Sequence, residues 1–166
     1  MTKDCEGSEE RFVKITGHLK ARILRKDGSI EKRDLGKNTI TDAAIAFLVN
    51  DWYDASKELT NMNYHAWGTG ACAEPVTCGT SALVNEGSET RVAGVKSKPT
   101  APQLRTVATI TCAGSGKTIK EWGVFDQQAV GGTAWSLRCF ASAPITVGVG
   151  DSIEFTYTVT FTCVQG

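Results

Sequence analysis

Residues 151–163 constrain the fold of this chain more than any other stretch. Ile153, Phe155, Tyr157, Val159, Phe161 and Cys163 alternate with Glu154, Thr156, Thr158, Thr160 and Thr162. A period of two puts the apolar set on one side of a strand and the polar set on the other, whereas a helix would scatter both around its circumference. The apolar side is expected to be buried, at about 2 kcal/mol per side chain before chain entropy is counted. The threonine side favours a strand and can hydrogen-bond across neighbouring strands, so it suits either water or a protein partner.

Shorter strand-like runs fill most of the remaining sequence. Residues 12–24 carry Phe12, Ile15, Leu19 and Ile23, and Asp27-Gly28 then supplies the turn of an N-terminal hairpin. Residues 30–35 return as a short, charged strand suited to an exposed edge. Further runs at 61–67, 90–95, 104–112, 118–125 and 134–140 alternate with glycine- and proline-bearing loops, and residues 144–150 read as a connection. The expected fold is mainly β: a single-domain antiparallel β-sandwich or barrel over residues 11–166. One amphipathic helix is expected over about residues 42–56. Thr41 or Asp42 caps it, and Ile45, Leu48, Val49 and Trp52 form its buried face.

A chain of 166 residues is long enough to bury one sizeable core without metal or disulfide support. Its 18 Lys and Arg balance 18 Asp and Glu. That balance argues against a nucleic-acid binder, whose affinity rests on excess cations, and it lowers the repulsion that opposes self-association. No apolar run approaches the roughly 20 residues needed to cross a bilayer, so no membrane partner is expected. Residues 1–10 carry Lys3, Asp4, Glu6, Glu9 and Glu10. They read as a flexible arm and lack the apolar centre of a secretory signal, so Sec-type export is not expected.

The six cysteines are Cys5, Cys72, Cys78, Cys112, Cys139 and Cys163. Cys112, Cys139 and Cys163 sit in strand-like runs and read as core thiols. Cys72 and Cys78 bracket a turn-prone stretch around Pro75, which makes a local disulfide between them a candidate. Zinc is disfavoured there, because the spacing is wide and no histidine pair accompanies it. Accordingly no metal site and no cofactor is expected.

Motifs that could carry chemistry are weak. Gly116-Lys117-Thr118 resembles the end of a phosphate-binding loop, but Thr111 stands where the first glycine is needed and the following residues read as strand. His18 and His65 are far apart, and neither Ser81 nor Cys78 lies in a nucleophile elbow. Asp51, Asp54, Glu86 and Glu89 read as solvated charges. Glu121 beside Trp122, with Asp126 after Phe125, is the nearest approach to a paired-carboxylate site. No catalytic residue is assigned, and the chain is not expected to be an enzyme. Trp67, Trp122 and Trp135 lie near strand ends and are candidate interface aromatics, with core packing as the competing role.

Several segments, in order, resemble structural proteins of tailed bacteriophages. They are Asn38-Thr39-Ile40-Thr41-Asp42-Ala43-Ala44-Ile45-Ala46-Phe47-Leu48, Tyr64-His65-Ala66-Trp67-Gly68-Thr69-Gly70, Ser81-Ala82-Leu83-Val84-Asn85-Glu86, Arg105-Thr106-Val107-Ala108-Thr109-Ile110 and Ile119-Lys120-Glu121-Trp122-Gly123-Val124-Phe125. Residues 150–161 complete the series. The resemblance implies a β-rich, oligomeric, non-enzymatic virion component, either a capsid decoration (cement) protein or a tail-fibre or collar-like protein. The short chain without shaft-like repeats favours decoration. The implied partners are the major capsid protein lattice and further copies of the chain, a trimer ahead of a dimer, on the capsid surface of a virion assembled in the host cytoplasm. A tail-fibre module binding a surface glycan is the alternative.

Overall fold

The computed structural model describes residues 11–53 and 61–165. Its strands are β1 (Arg11–Leu24), β2 (Ile30–Ile40), β3 (Tyr64–Gly68), β4 (Val92–Ala93), β5 (Val95–Ser97), β6 (Gln103–Thr111), β7 (Lys117–Ile119), β8 (Glu121–Phe125), β9 (Ala134–Cys139), β10 (Ile145–Val147) and β11 (Ser152–Gln165). One helix, α1 (Asp42–Tyr53), follows β2. The large sheet is antiparallel, in the order β4-β3-β8-β9-β2-β1-β11-β6-β5. β7 and β10 make a separate two-stranded sheet, so the stretch expected to be a plain connection at 144–150 contains a strand.

The sheet is a nearly closed barrel, and its seam is specific. Its two edge strands, β4 and β5, are consecutive in sequence and separated only by Gly94. A short segment thus pairs with β3 on one side and β6 on the other, which draws the two edges together. Gly94 is required where it stands. A Cβ there would come within 2.9 Å of His65 Nε2 and 3.2 Å of the Asn63 carbonyl.

The N-terminal hairpin is present, with β1 paired to β2 and also to β11 along its whole length. Gly36, at φ +78°, lies in a bulge where Leu35 and Gly36 together oppose Leu19. The charged first half of β2 pairs with β1 alone, and β9 joins β2 only at Thr39 and Ile40. That half is an exposed edge, as its charges suggest.

In β11 the alternation places Ile153, Phe155, Tyr157 and Val159 in the core. Phe161 is half-buried and Cys163 is exposed, so the inward set ends sooner than the period implies. The reason is topological. β6 leaves β11 at Thr160 and β2 leaves β1 at Gly17, so both strands continue past the barrel as a two-stranded ribbon.

Helix α1 buries a different stripe from the expected one. Thr41 caps it, its Oγ1 accepting from the Ala44 amide at 3.0 Å. Ala44 and Phe47 face the core and Leu48 packs beside them, while Ile45 is 44 % and Val49 60 % exposed. Trp52's side chain and the expected helix end near residue 56 lie outside what is described.

Candidate binding face

Trp67, Trp122 and Trp135 are core rather than surface residues. They are 1 %, 0 % and 4 % exposed, and they fill the barrel. Trp67 and Trp122 are opposite each other on β3 and β8 and point the same way, inward. Phe155 meets Trp67 edge-on at 6.5 Å, and Tyr157 packs against Trp122 at 5.2 Å. Each indole N–H has an internal acceptor: Glu89 for Trp67, His65 for Trp122 and the Tyr157 hydroxyl for Trp135. Burial pushes the Tyr157 phenol above its ordinary range.

The polar residues considered for chemistry hold structure together. His65 is fully buried. Its Nδ1 accepts from Trp122 Nε1 at 3.3 Å, and an indole nitrogen can only donate. The imidazole proton therefore sits on Nε2, which donates to Thr106 Oγ1 at 2.8 Å. Burial pulls the His65 pKa down from 6.5 to about 3, so the ring is neutral.

Glu121 is 3 % exposed and receives the amides of Gly70, Asn85 and Val84 at 2.8, 2.9 and 2.8 Å. A carboxylate engaged in this way anchors the loop, and it also lines the cleft beside Cys72 and Arg138. Asp126 accepts from the Thr133 amide at 2.8 Å. Arg91 is bonded to both oxygens of Glu86, to the carbonyls of Gln127 and Gly131, and lies 3.6 Å above the Phe125 ring. Glu89 joins Trp67 Nε1 to the Lys117 ammonium. Burial raises its pKa, but the bonds from Lys117 and Trp67 outweigh that and leave it below the ordinary value. Lys117 opens β7, with no helix after it, so the phosphate-loop likeness has no structural counterpart. His18 is on the surface, 2.7 Å from Asp34.

The local Cys72–Cys78 disulfide is replaced by a bond between Cys72 and Cys139, across 67 residues. Spacing favours the near partner, but β9 presents Cys139 on the side of the sheet that the loop covers. Cys78 is free and exposed. Of the expected core thiols, Cys112 is buried and free, with burial raising its pKa, whereas Cys139 is bonded and Cys163 exposed. Cys5 lies outside the described residues.

These anchors make the barrel asymmetric. The outward side of β3, β8 and β9 is covered by the loop chain between β3 and β4. Leu83 and Val76 pack there on Ala66, Phe125, Ala134 and Leu137. A cleft of about 310 Å³ beside Cys72, Leu83 and Arg138 remains open, as does one of about 420 Å³ beside Asn85, Arg91 and Val130.

Among the described residues, the outward side of β2, β1, β11, β6 and β5 has no such cover, and cross-strand register gives its composition. One row reads Lys37, His18, Thr158, Arg105, Ser97, and the next Asp34, Lys20, Thr156, Val107, Val95. Lys32, Arg22, Glu154 and Thr109 form a third. Asp34 is bonded to His18, and Glu154 lies 3.7 Å from Arg22. Lys14, Lys32, Lys37 and Arg105 have no ion pair among the described residues. The face is a threonine stripe flanked by cations, on a chain whose formal net charge is zero. The threonine alternation was legible beforehand. The cations were not, because they come from strands far apart in sequence.

No family model, curated protein or solved structure matches this chain.

Proposed function

We propose that this chain is a non-enzymatic structural protein of a tailed-phage particle. It binds the assembled capsid surface as a decoration protein and stabilises the shell. The observation that carries this reading is the uncovered five-strand face, a broad surface suited to lateral contact with other proteins. The ordered series of phage-like segments supports it from the sequence side. Many copies, each making modest contacts with the capsid lattice and with one another, add through multivalency, and binding only the assembled shell stabilises it by mass action. The preferred oligomer is a trimer, with a dimer as the alternative.

The competing reading is a glycan-binding tail-fibre module, for which exposed aromatic side chains would supply the sugar-stacking surface. Trp67, Trp122 and Trp135 are buried and offer sugars no stacking surface. Counting copies on purified virions by quantitative mass spectrometry and locating them by electron microscopy separates the two. Copies in proportion to the major capsid protein are expected. Absence from the particle, or a few copies confined to the tail, overturns the decoration reading.

A further inference from the structure

The uncovered face carries cations that its own fold does not neutralise, and the same chain carries a compact anionic segment. Residues 1–10 contain Asp4, Glu6, Glu9 and Glu10 against Lys3. They lead directly into Arg11, at the tip of the ribbon that β1 and β11 extend beyond the barrel.

We propose that the occupant of the face is the acidic segment 1–10 of a second copy of this chain, laid across the threonine stripe between Lys20 and Lys37 on one side and Arg105 on the other. The proposal rests on the homo-oligomer part of the functional reading and not on the capsid.

Three observations favour this occupant. Charge complementarity is the first: an anionic segment meets Lys37 and Arg105, which have no ion pair among the described residues, beside Lys20, which faces Asp34 across the β1–β2 ladder. Reach is the second. Ten residues extend at most about 35 Å, while Lys37 and Arg105, three strand spacings apart in one row, are separated by about 14 Å. Direction is the third. Arg11 lies on the ribbon beyond the barrel, about 23 Å of strand from the His18 row of its own face, which favours the face of a neighbour. The threonine hydroxyls can bond the backbone of an extended segment, and the flanking lysines fix its position.

The test uses full-length chains with reversed charges. One variant carries Glu6→Lys, Glu9→Lys and Glu10→Lys; the other carries Lys20→Glu and Lys37→Glu. Unchanged thermal melts show that each variant folds. Sedimentation should show the parent chain self-associating, about tenfold or more weakly at high salt, and each variant alone monomeric. An equimolar mixture of the two variants should associate again, because the reversed arm then meets the reversed face. A monomeric mixture beside a monomeric parent overturns the proposal and points to an arm folded on its own copy. Self-association that neither variant alters overturns it, as does a face that binds duplex DNA but not a synthetic peptide of residues 1–10. Virion copy number is unaffected by any of these outcomes, so this inference and the capsid reading fail separately.

Discussion

His65 Nε2 stands 2.8 Å from Thr106 Oγ1, and this bond joins β3 to β6 across the seam of the barrel. The two strands are not ladder neighbours; β4, Gly94 and β5 lie between their edges. A neutral, fully buried imidazole therefore helps to close the sheet. Its other nitrogen, held by Trp122, fixes the tautomer that makes the bond possible.

Acid should open this seam. The folded-state pKa of His65 lies below its unfolded value of 6.5, at about 3, so the unfolded chain takes up the proton first. The stability it contributes is fully present above pH 6.5 and is lost as the pH falls toward 3. From pH 6.5 to about pH 5, above the range where the lowered carboxylates titrate, the loss should be about 2 kcal/mol. Urea denaturation at a series of pH values measures it. His65→Gln, which does not titrate, should be less stable at neutral pH but flat across that window. An equal slope in both proteins would place the effect elsewhere.

Gly94→Ala probes the same seam without a change in charge. The added methyl meets the His65 ring and the Asn63 carbonyl, so a destabilisation of about 1–3 kcal/mol is expected, with the change in hydrogen exchange centred on β3 and β6. A neutral effect would mean that the two edges of the sheet can separate freely.

The Cys72–Cys139 bond closes a loop across 67 residues, for which the chain-entropy relation gives about 4 kcal/mol. Cys139→Ala should lose stability on that scale, and Cys78→Ala almost none. Peptide mapping under non-reducing conditions identifies the partner directly: a Cys72–Cys78 linkage would contradict the fold of the covering loop.

Glu121→Gln should loosen that loop. An amide group would present N–H to at least one backbone N–H that now has a carboxylate oxygen, at a cost of about 1–3 kcal/mol. Limited proteolysis should then cut within residues 69–87. Resistance equal to that of the parent would show that the covering apolar contacts hold the loop without the anchor.

On α1, Phe47→Ala should cost about 3–5 kcal/mol, and Val49→Lys less than about 0.5 kcal/mol. Thermal melts of both would invert if the stripe of Ile45 and Val49 were the one facing the core.

The helix shows why periodicity took the reading only part of the way. Ile45, Leu48 and Val49 satisfy a helical stripe, and so do Ala44, Phe47 and Leu48. The hydrophobicity of single residues does not choose between overlapping stripes; the packing of Ala44 and Phe47 into the barrel core does. The aromatic candidates failed for a related reason. Trp67 and Trp122 flank turns in the sequence, but their shared row on β3 and β8 makes them a pair inside the barrel. The sequence pairs Glu121 with Asp126 as a candidate carboxylate pair and does not show its anchoring role, because the amides that hold it come from 36 to 51 positions away.

The sequence by itself determined the local geometry: strands with a period of two, the hairpin at Asp27-Gly28, the Thr41 cap and the threonine row of β11. Each follows from steric preferences and hydrogen bonds between near neighbours in the chain. Only the tertiary structure decided which edges meet at Gly94, which cysteine Cys72 finds, that the tryptophans are core, and that Lys20, Lys37 and Arg105 flank the stripe where Thr156 and Thr158 lie. Those outcomes depend on register between strands distant in sequence, and register is set by the packing of the whole core rather than by any one segment.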